Sequence, residues 1–271
     1  MTENTFKVLI LGGALEGAQF AVELAKARPD ITIGIVVKQP RAAFTKQLKK
    51  APKNAKITII QHEGLFLQYY KGLLYLTLDT PDKDRVFGHY MVIATGDKPV
   101  LGKFVGAPHV YTSIEDFPEN AGFKNILVVG KSNATLTTAL KVAKTAERVF
   151  ITTDAVEFEA TEATTKRLMK AGNVNLLPNC DIGTVYHNGQ TIQQITLSCY
   201  ATLPCEAVLL LEPKRVPDVP AISPQMIKQD LNGGILVDEH LVVNKIPNIF
   251  AVGRCIIQES QNTQTIIDRI K

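Results

Sequence analysis

A strand–turn–helix–strand unit opens the chain and sets what it can fold into. Residues 7–38 read KVLILGGALEGAQFAVELAKARPDITIGIVVK. The apolar run at 8–11 has the length a buried parallel strand needs. Gly12, Ala14 and Gly17 then fall on the three positions of a G-x-G-x-x-G turn, and Ala21 lies four residues further on. Ala18, Ala21, Val22 and Ala25 give the following helix a packed face, Pro29-Asp30 closes it, and 31–37 is predicted as the return strand.

In such a unit the first glycine makes the tight turn, the second lets backbone approach a pyrophosphate, and the third lets helix lie close on strand. The N–H groups of the helix start face the phosphates. Gly12, Gly13, Ala14, Leu15, Glu16 and Gly17 are therefore the first candidate binding residues. Ala14 is one methyl larger than glycine and still permits approach. Glu16 brings a carboxylate near the expected pyrophosphate. An acid at the end of the second strand would accept from the adenosine ribose, but this chain has Val37 and then Lys38. The frame of a dinucleotide site is present with one grip exchanged.

The pattern returns at 125–154, NILVVGKSNATLTTALKVAKTAERVFITTD. Gly130, Ser132 and Thr135 hold the three glycine-type positions, and Ala139 matches Ala21 in spacing. A helix is predicted to about residue 146, with a return strand at 148–152. Gly130, Lys131, Ser132 and Asn133 are the candidate residues of this second turn. Its Gly-Lys-Ser lacks the spacer and leading glycine of a P-loop.

Between the two units, 57–60, 73–78 and 86–93 are predicted as a β-meander. The strand in 91–99, MVIATGDKP, runs into a sharp turn at Thr95-Gly96. Beyond the second unit come a helix at 159–170, a strand at 173–177 and a three-stranded meander over 184–211. The proline-rich stretch from Pro213 to Pro224 reads as a crossover. An edge strand pair at 234–243, a last buried strand at 249–252, Gly253-Arg254-Cys255 and a short helix at 262–270 complete the chain. The lysines at 46, 49, 50, 53 and 56 read as a solvated face, and His62-Glu63 as surface.

The 271 residues suffice for two modest domains. A net charge of +4, with aromatics not interleaved among the basic residues, argues against nucleic acid. No apolar run approaches membrane-spanning length. Cys180, Cys199, Cys205 and Cys255 show neither C-x-x-C nor metal-ligand spacing. Cys199 and Cys205 flank a short bend and could meet across a hairpin, but half-buried free thiols in a reducing cytoplasm are the plainer expectation. A redox role for Cys255 would need a thiol pKa lowered by a helix N-terminus.

Five blocks, GGALEG, ATGDKP, VVGKSNAT, GGILVDEH and IPNIFAVG, stand in the order found in two-dinucleotide-domain flavoprotein reductases. Over nearly its whole length the chain resembles bacterial thioredoxin reductase. The resemblance implies an α/β protein of two Rossmann-like, three-layer ββα domains, the second inserted into the first. An FAD-type domain would comprise 1–103 and 216–271, and an NAD(P)-type domain 104–215. It also implies a homodimer.

The departures from that family are chemical. Its C-x-x-C dithiol matches Thr112-Ser113-Ile114-Glu115, so thiol–disulfide exchange by that route is not expected. Where its arginines bind the NADPH 2′-phosphate stand Asp154, Ala155 and Glu159, so NADH is favoured over NADPH if either binds. Its Gly-Asp, whose acid holds the ribityl chain of the flavin, is Gly253-Arg254 here. Two lost hydrogen bonds, each worth about 0.5–1.5 kcal/mol, would weaken FAD by tens of times without abolishing it.

The sequence thus favours a binding or regulatory protein with little or no reductase activity. The alternative is an FAD-dependent NADH oxidoreductase passing electrons from flavin directly to a non-disulfide acceptor. A third reading gives Lys38 and Arg254 phosphate contacts to another nucleotide.

Overall fold

A computed structural model describes residues 5–40, 42–70, 72–118, 121–218, 226–231, 233–256 and 261–270. In chain order the elements are β1 (Thr5–Leu11), α1 (Leu15–Ala27), β2 (Thr32–Val36), α2 (Ala42–Leu48), β3 (Lys56–Ile60), β4 (Gly64–Tyr70), β5 (Leu73–Leu78), β6 (Arg85–Ile93) and β7 (Asp97–Pro99). They continue with β8 (Val110–Tyr111), β9 (Asn125–Val129), α3 (Asn133–Val142), β10 (Arg148–Thr152), α4 (Glu162–Lys170), β11 (Val174–Leu177), β12 (Ile182–His187), β13 (Ile192–Leu197), β14 (Thr202–Pro204) and β15 (Ala207–Leu210). Last come β16 (Arg215–Pro217), β17 (Ile249–Ala251) and α5 (Gln264–Arg269). The chain divides into two compact units, 1–98 with 215–271, and 99–214.

The first unit is built on a sheet in the order β3-β2-β1-β6-β5-β4. β1 lies parallel between β2 and β6, with Ile10 opposite Ile35 and Val92. Both faces of these strands are covered, which is why they read as continuous apolar runs rather than alternating ones. The far edge of β6 is shared: β5 pairs antiparallel with its first half, and β17 parallel with Met91–Ile93. α1 buries Ala18, Phe20, Ala21, Val22, Leu24 and Ala25, a broader face than the four residues read from the sequence.

Two expectations change here. Residues 57–60 do not open the meander; β3 is the outer parallel strand, paired along its length with β2. The meander is β4-β5-β6 instead. β4 was not anticipated because it lacks clean alternation: Leu67 is buried while Phe66, Tyr69 and Tyr70 are about half exposed. The expected strand pair at 234–243 is reduced to single bridges, Gln229 to Ile235 and Val237 to Val243. Of the expected crossover, residues 219–225 lie outside the described residues.

The second unit has a parallel sheet in the order β11-β10-β9-β15-β8, beside an antiparallel sheet β12-β13-β14. β15 leaves the predicted meander to pair with β9 and β8. All four of its residues are buried, as a central parallel strand requires. α4 begins at Glu162 rather than 159 because Thr161 caps it, its hydroxyl accepting from Thr164 N at 3.3 Å.

The cysteine expectation is overturned. Cys180 and Cys199 form a disulfide with Cα atoms 5.3 Å apart, and Cys205 is a buried free thiol. Cys180 lies ahead of β12, a full strand pair away from the bend between Cys199 and Cys205, so nearness in sequence does not reveal the pairing. Cysteine usage therefore gives no support to a reducing compartment. Among the described residues no helix is long and apolar enough to cross a membrane, and no His/Cys/Asp/Glu group is arranged to hold a metal.

Candidate functional site

β1 ends in Gly12, whose φ is +125° and whose Cβ, if present, would lie 2.4 Å from Ala94 O. Only glycine fits this conformation and this approach. Ala14, extended at φ −73°, starts α1 without a side-chain cap, so the first turn presents backbone N–H groups as a phosphate-binding turn does. The Thr95-Gly96 turn packs against this start: a Cβ on Gly96 would lie 3.1 Å from that of Ala14. Both of its residues are tied to Asp218, the Thr95 hydroxyl donating to Asp218 O, and Asp218 N donating to Gly96 O at 2.9 Å.

The three predicted pieces of the first site, 12–17, 95–96 and 253–254, thus come together within the first unit. At its ribose end Val37 is buried, with a methyl carbon 2.4 Å from where a Gly13 Cβ would stand. Lys38 turns to Glu63, Nζ to Oε2 at 2.5 Å, in an exposed ion pair. At the opposite end the Glu16 side chain lies over Gly253, whose missing Cβ would fall 2.9 Å from that of Glu16. Arg254 Nε is 3.3 Å from Glu16 Oε1, and its Nη1 is 3.3 Å from Asp97 Oδ2. Arg215 Nε reaches Asp97 Oδ1 at 3.0 Å. Gly253 N donates to Gln261 Oε1 at 2.6 Å, and Gln261 Nε2 donates back to Gly253 O at 3.2 Å. Asp97, Arg215 and Gln261 were not read from the sequence; Asp97 follows Thr95-Gly96 directly and was the one recoverable signal.

Cys255 is fully buried, and burial pushes its thiol pKa up, which removes the basis for a reactive thiol.

In the second unit Gly130 has φ +141°, and Ser132 caps α3, its hydroxyl accepting from Thr135 N at 3.2 Å. Lys131 Nζ pairs with Glu159 Oε1 at 2.7 Å. Asn133 Oδ1 accepts from Thr161 N at 3.0 Å, so this candidate ties down the start of α4. The carboxylate of Glu212 sits on the turn, accepting from Lys131 N, Ser132 N and the Thr135 hydroxyl. A cavity of about 280 Å³ opens here, lined among others by Asp154, Cys180, Asp181 and Glu212. Asp154 is exposed at its rim. At 112–115, the segment that matches the dithiol of the family it resembles, Ser113 caps a short 3-10 turn at Ile114–Asp116 and accepts from Glu115 N at 3.2 Å.

Two parallel-sheet units, each opening on a glycine-type turn and one inserted in the other, define the fold of the two-domain dinucleotide reductases. The chain belongs to the pyridine nucleotide-disulphide oxidoreductase family, whose model matches residues 6–269. Its fold is similar to that of the thioredoxin reductase of T. acidophilum (TM-score 0.69, 17% identity, covering 99% of this chain and 96% of that one). Thioredoxin reductase of Lactococcus lactis gives TM-score 0.67 at 17% identity, covering 98% and 95%. The bacillithiol disulfide reductase of Bacillus cereus gives 0.68 at 15%, covering 98% and 99%. No curated protein sequence matches this chain.

Family membership implies FAD and NAD(P) binding. The Gly12 turn has the left-handed glycine and the open helix start that a dinucleotide phosphate needs. Val37 offers no acceptor to a ribose, and the Arg254 guanidinium is spent on Glu16 and Asp97.

Proposed function

We propose that this chain is a thioredoxin-reductase-like scaffold with weakened cofactor sites that acts by binding or regulation, with little or no reductase activity. The observation that carries this reading is the Glu16–Arg254–Asp97–Arg215 group, which puts internal ion pairs where the resemblance expects a flavin-holding acid. The absence of any thiol from 112–115 removes the family's disulfide chemistry with it. A cytoplasmic homodimer is the assembly that goes with this reading. Its test is a visible spectrum of the purified protein followed by addition of NADH. A colourless protein that does not oxidise NADH is expected; a yellow protein bleached by NADH overturns the reading.

One observation favours a second reading, an FAD-dependent NADH oxidoreductase with a non-disulfide acceptor. The Gly12 turn keeps its left-handed glycine and a helix start whose N-cap residue, Ala14, has no capping side chain. Asp154 in place of a cation then favours NADH over NADPH. Flavin, when bound, would supply the hydride chemistry, and the chain's part would be to position it.

A further inference from the structure

The two glycine-type turns differ in what meets their backbone donors. Ala14, at the start of α1, offers no side-chain cap, and among the described residues none is seen to supply one. At α3, Glu212 Oε2 accepts from Lys131 N at 3.1 Å, and Oε1 accepts from Ser132 N at 2.9 Å and from the Thr135 hydroxyl at 2.6 Å. These N–H groups belong to the turn that would cradle a dinucleotide's pyrophosphate. A carboxylate is an anion with two acceptor oxygens and satisfies the same donors. Gly130 makes the room: a Cβ there would lie 3.1 Å from Glu212 Cδ and 2.8 Å from Thr135 Oγ1.

The surroundings offer a phosphate little in exchange. Among the described residues lining the cavity, Asp154, Asp181 and Glu212 are acidic and Lys131 is the one cation. The Lys131 ammonium is already 2.7 Å from Glu159. Burial raises the pKa of the Glu212 carboxyl, but the hydrogen bonds from Ser132, Thr135 and Lys131 outweigh it and hold the group at about 2. It is ionised throughout the range in which a nucleotide would be offered.

We propose that Glu212 is a resident stand-in for the pyrophosphate, and that it excludes phosphate-bearing nucleotides from the second unit. The inference rests on reading that unit as a dinucleotide-type domain and deepens the proposed weakening by naming the residue that causes it. Glu212 belongs to the chain's own return segment after β15, so the occupant is always present and no ligand concentration sets its occupancy.

The test uses the full-length protein, isotope-labelled, with NADH and inorganic pyrophosphate as probes and the Lys131 and Ser132 amide resonances as readout. Wild type is expected to show no saturable shift at these amides. Glu212→Ala should bind either probe, gaining roughly tenfold to hundredfold over wild type, the scale of one charge-assisted hydrogen bond. Glu212→Gln, which keeps an acceptor but not the charge, should fall between, and it decides the matter if the alanine variant does not fold. The proposal is overturned if wild type binds as tightly as the variants, or if a folded variant gains nothing. The visible spectrum of the same samples reads the proposed function separately. Flavin bands that bleach would sink that reading and leave the amide result standing.

Discussion

Arg254 and Glu16 meet at 3.3 Å beside Gly253, tying the segment just past β17 to the first turn of α1. Asp97, on the far side of the same guanidinium, also holds Arg215. The centre of the group is therefore Asp97, whose side chain is only 12% exposed, rather than Arg254 at 55%. Removing Asp97 takes the carboxylate from between two guanidiniums and leaves Glu16, beside Arg254, as the remaining acid of the group. Asp97→Ala is expected to cost about 2 kcal/mol and Arg254→Ala less than about 1 kcal/mol, read by urea denaturation. Equal losses would contradict this hierarchy.

Gly12 has both a left-handed φ and no room for a Cβ, which would meet Ala94 O at 2.4 Å. Gly12→Ala is expected to lose at least about 3 kcal/mol, combining conformational strain with displacement of buried backbone. Gly172 has open space around it and no positive φ, so Gly172→Ala should lie within about 0.5 kcal/mol of wild type. Thermal unfolding of the pair separates a required glycine from an incidental one.

Cys205 is buried with its thiol pushed up to about 12 by loss of solvent, Cys255 is raised for the same reason, and the other two cysteines are bonded to each other. An aromatic disulfide reagent at pH 8 should find no reactive thiol in the folded, unreduced protein. It should find Cys205 and Cys255 after denaturation, and all four cysteines after reduction and denaturation. A fast-reacting native thiol would contradict the placement. Reduction of Cys180–Cys199, which closes a separation of 19 residues, should cost about 3 kcal/mol in the loop-entropy account.

Glu212 titrates at about 2 in the folded chain, below the ordinary carboxylate value of 4.5. A depressed folded pKa stabilises the protein above the unfolded pKa, and that contribution is lost as pH falls through the folded one. Glu212→Gln should therefore be less stable than wild type at pH 7, by about 1 kcal/mol after allowing for the side chain's exposure. The gap should narrow between about pH 4.5 and pH 2. A gap independent of pH in that window would show that charge is not what the turn binds.

The two Rossmann-type cores were legible because each rests on short-range pattern: an apolar run, small residues at fixed offsets, then a helix. The antiparallel parts were less so. β4 carries three half-exposed aromatics and offers no period to read, and β15 follows a meander closely enough to be taken for part of it. The candidate glycines were found for the same reason as the cores, whereas Asp97, Arg215, Gln261 and Glu212 were not. Asp97, Arg215 and Glu212 pair with residues far along the chain and Gln261 reaches back to Gly253, each through a side chain whose direction only the fold decides. The Cys180–Cys199 bond was missed on the same ground.

The shared edge of β6 bears on how the polypeptide is assembled during synthesis. Met91–Ile93 waits for Ile249–Ala251 to complete its hydrogen bonding, and that segment leaves the ribosome only after the entire inserted unit. The inserted unit therefore holds all its strands while the sheet that surrounds it in sequence still has an open flank, so the later-encoded unit is the earlier one able to finish.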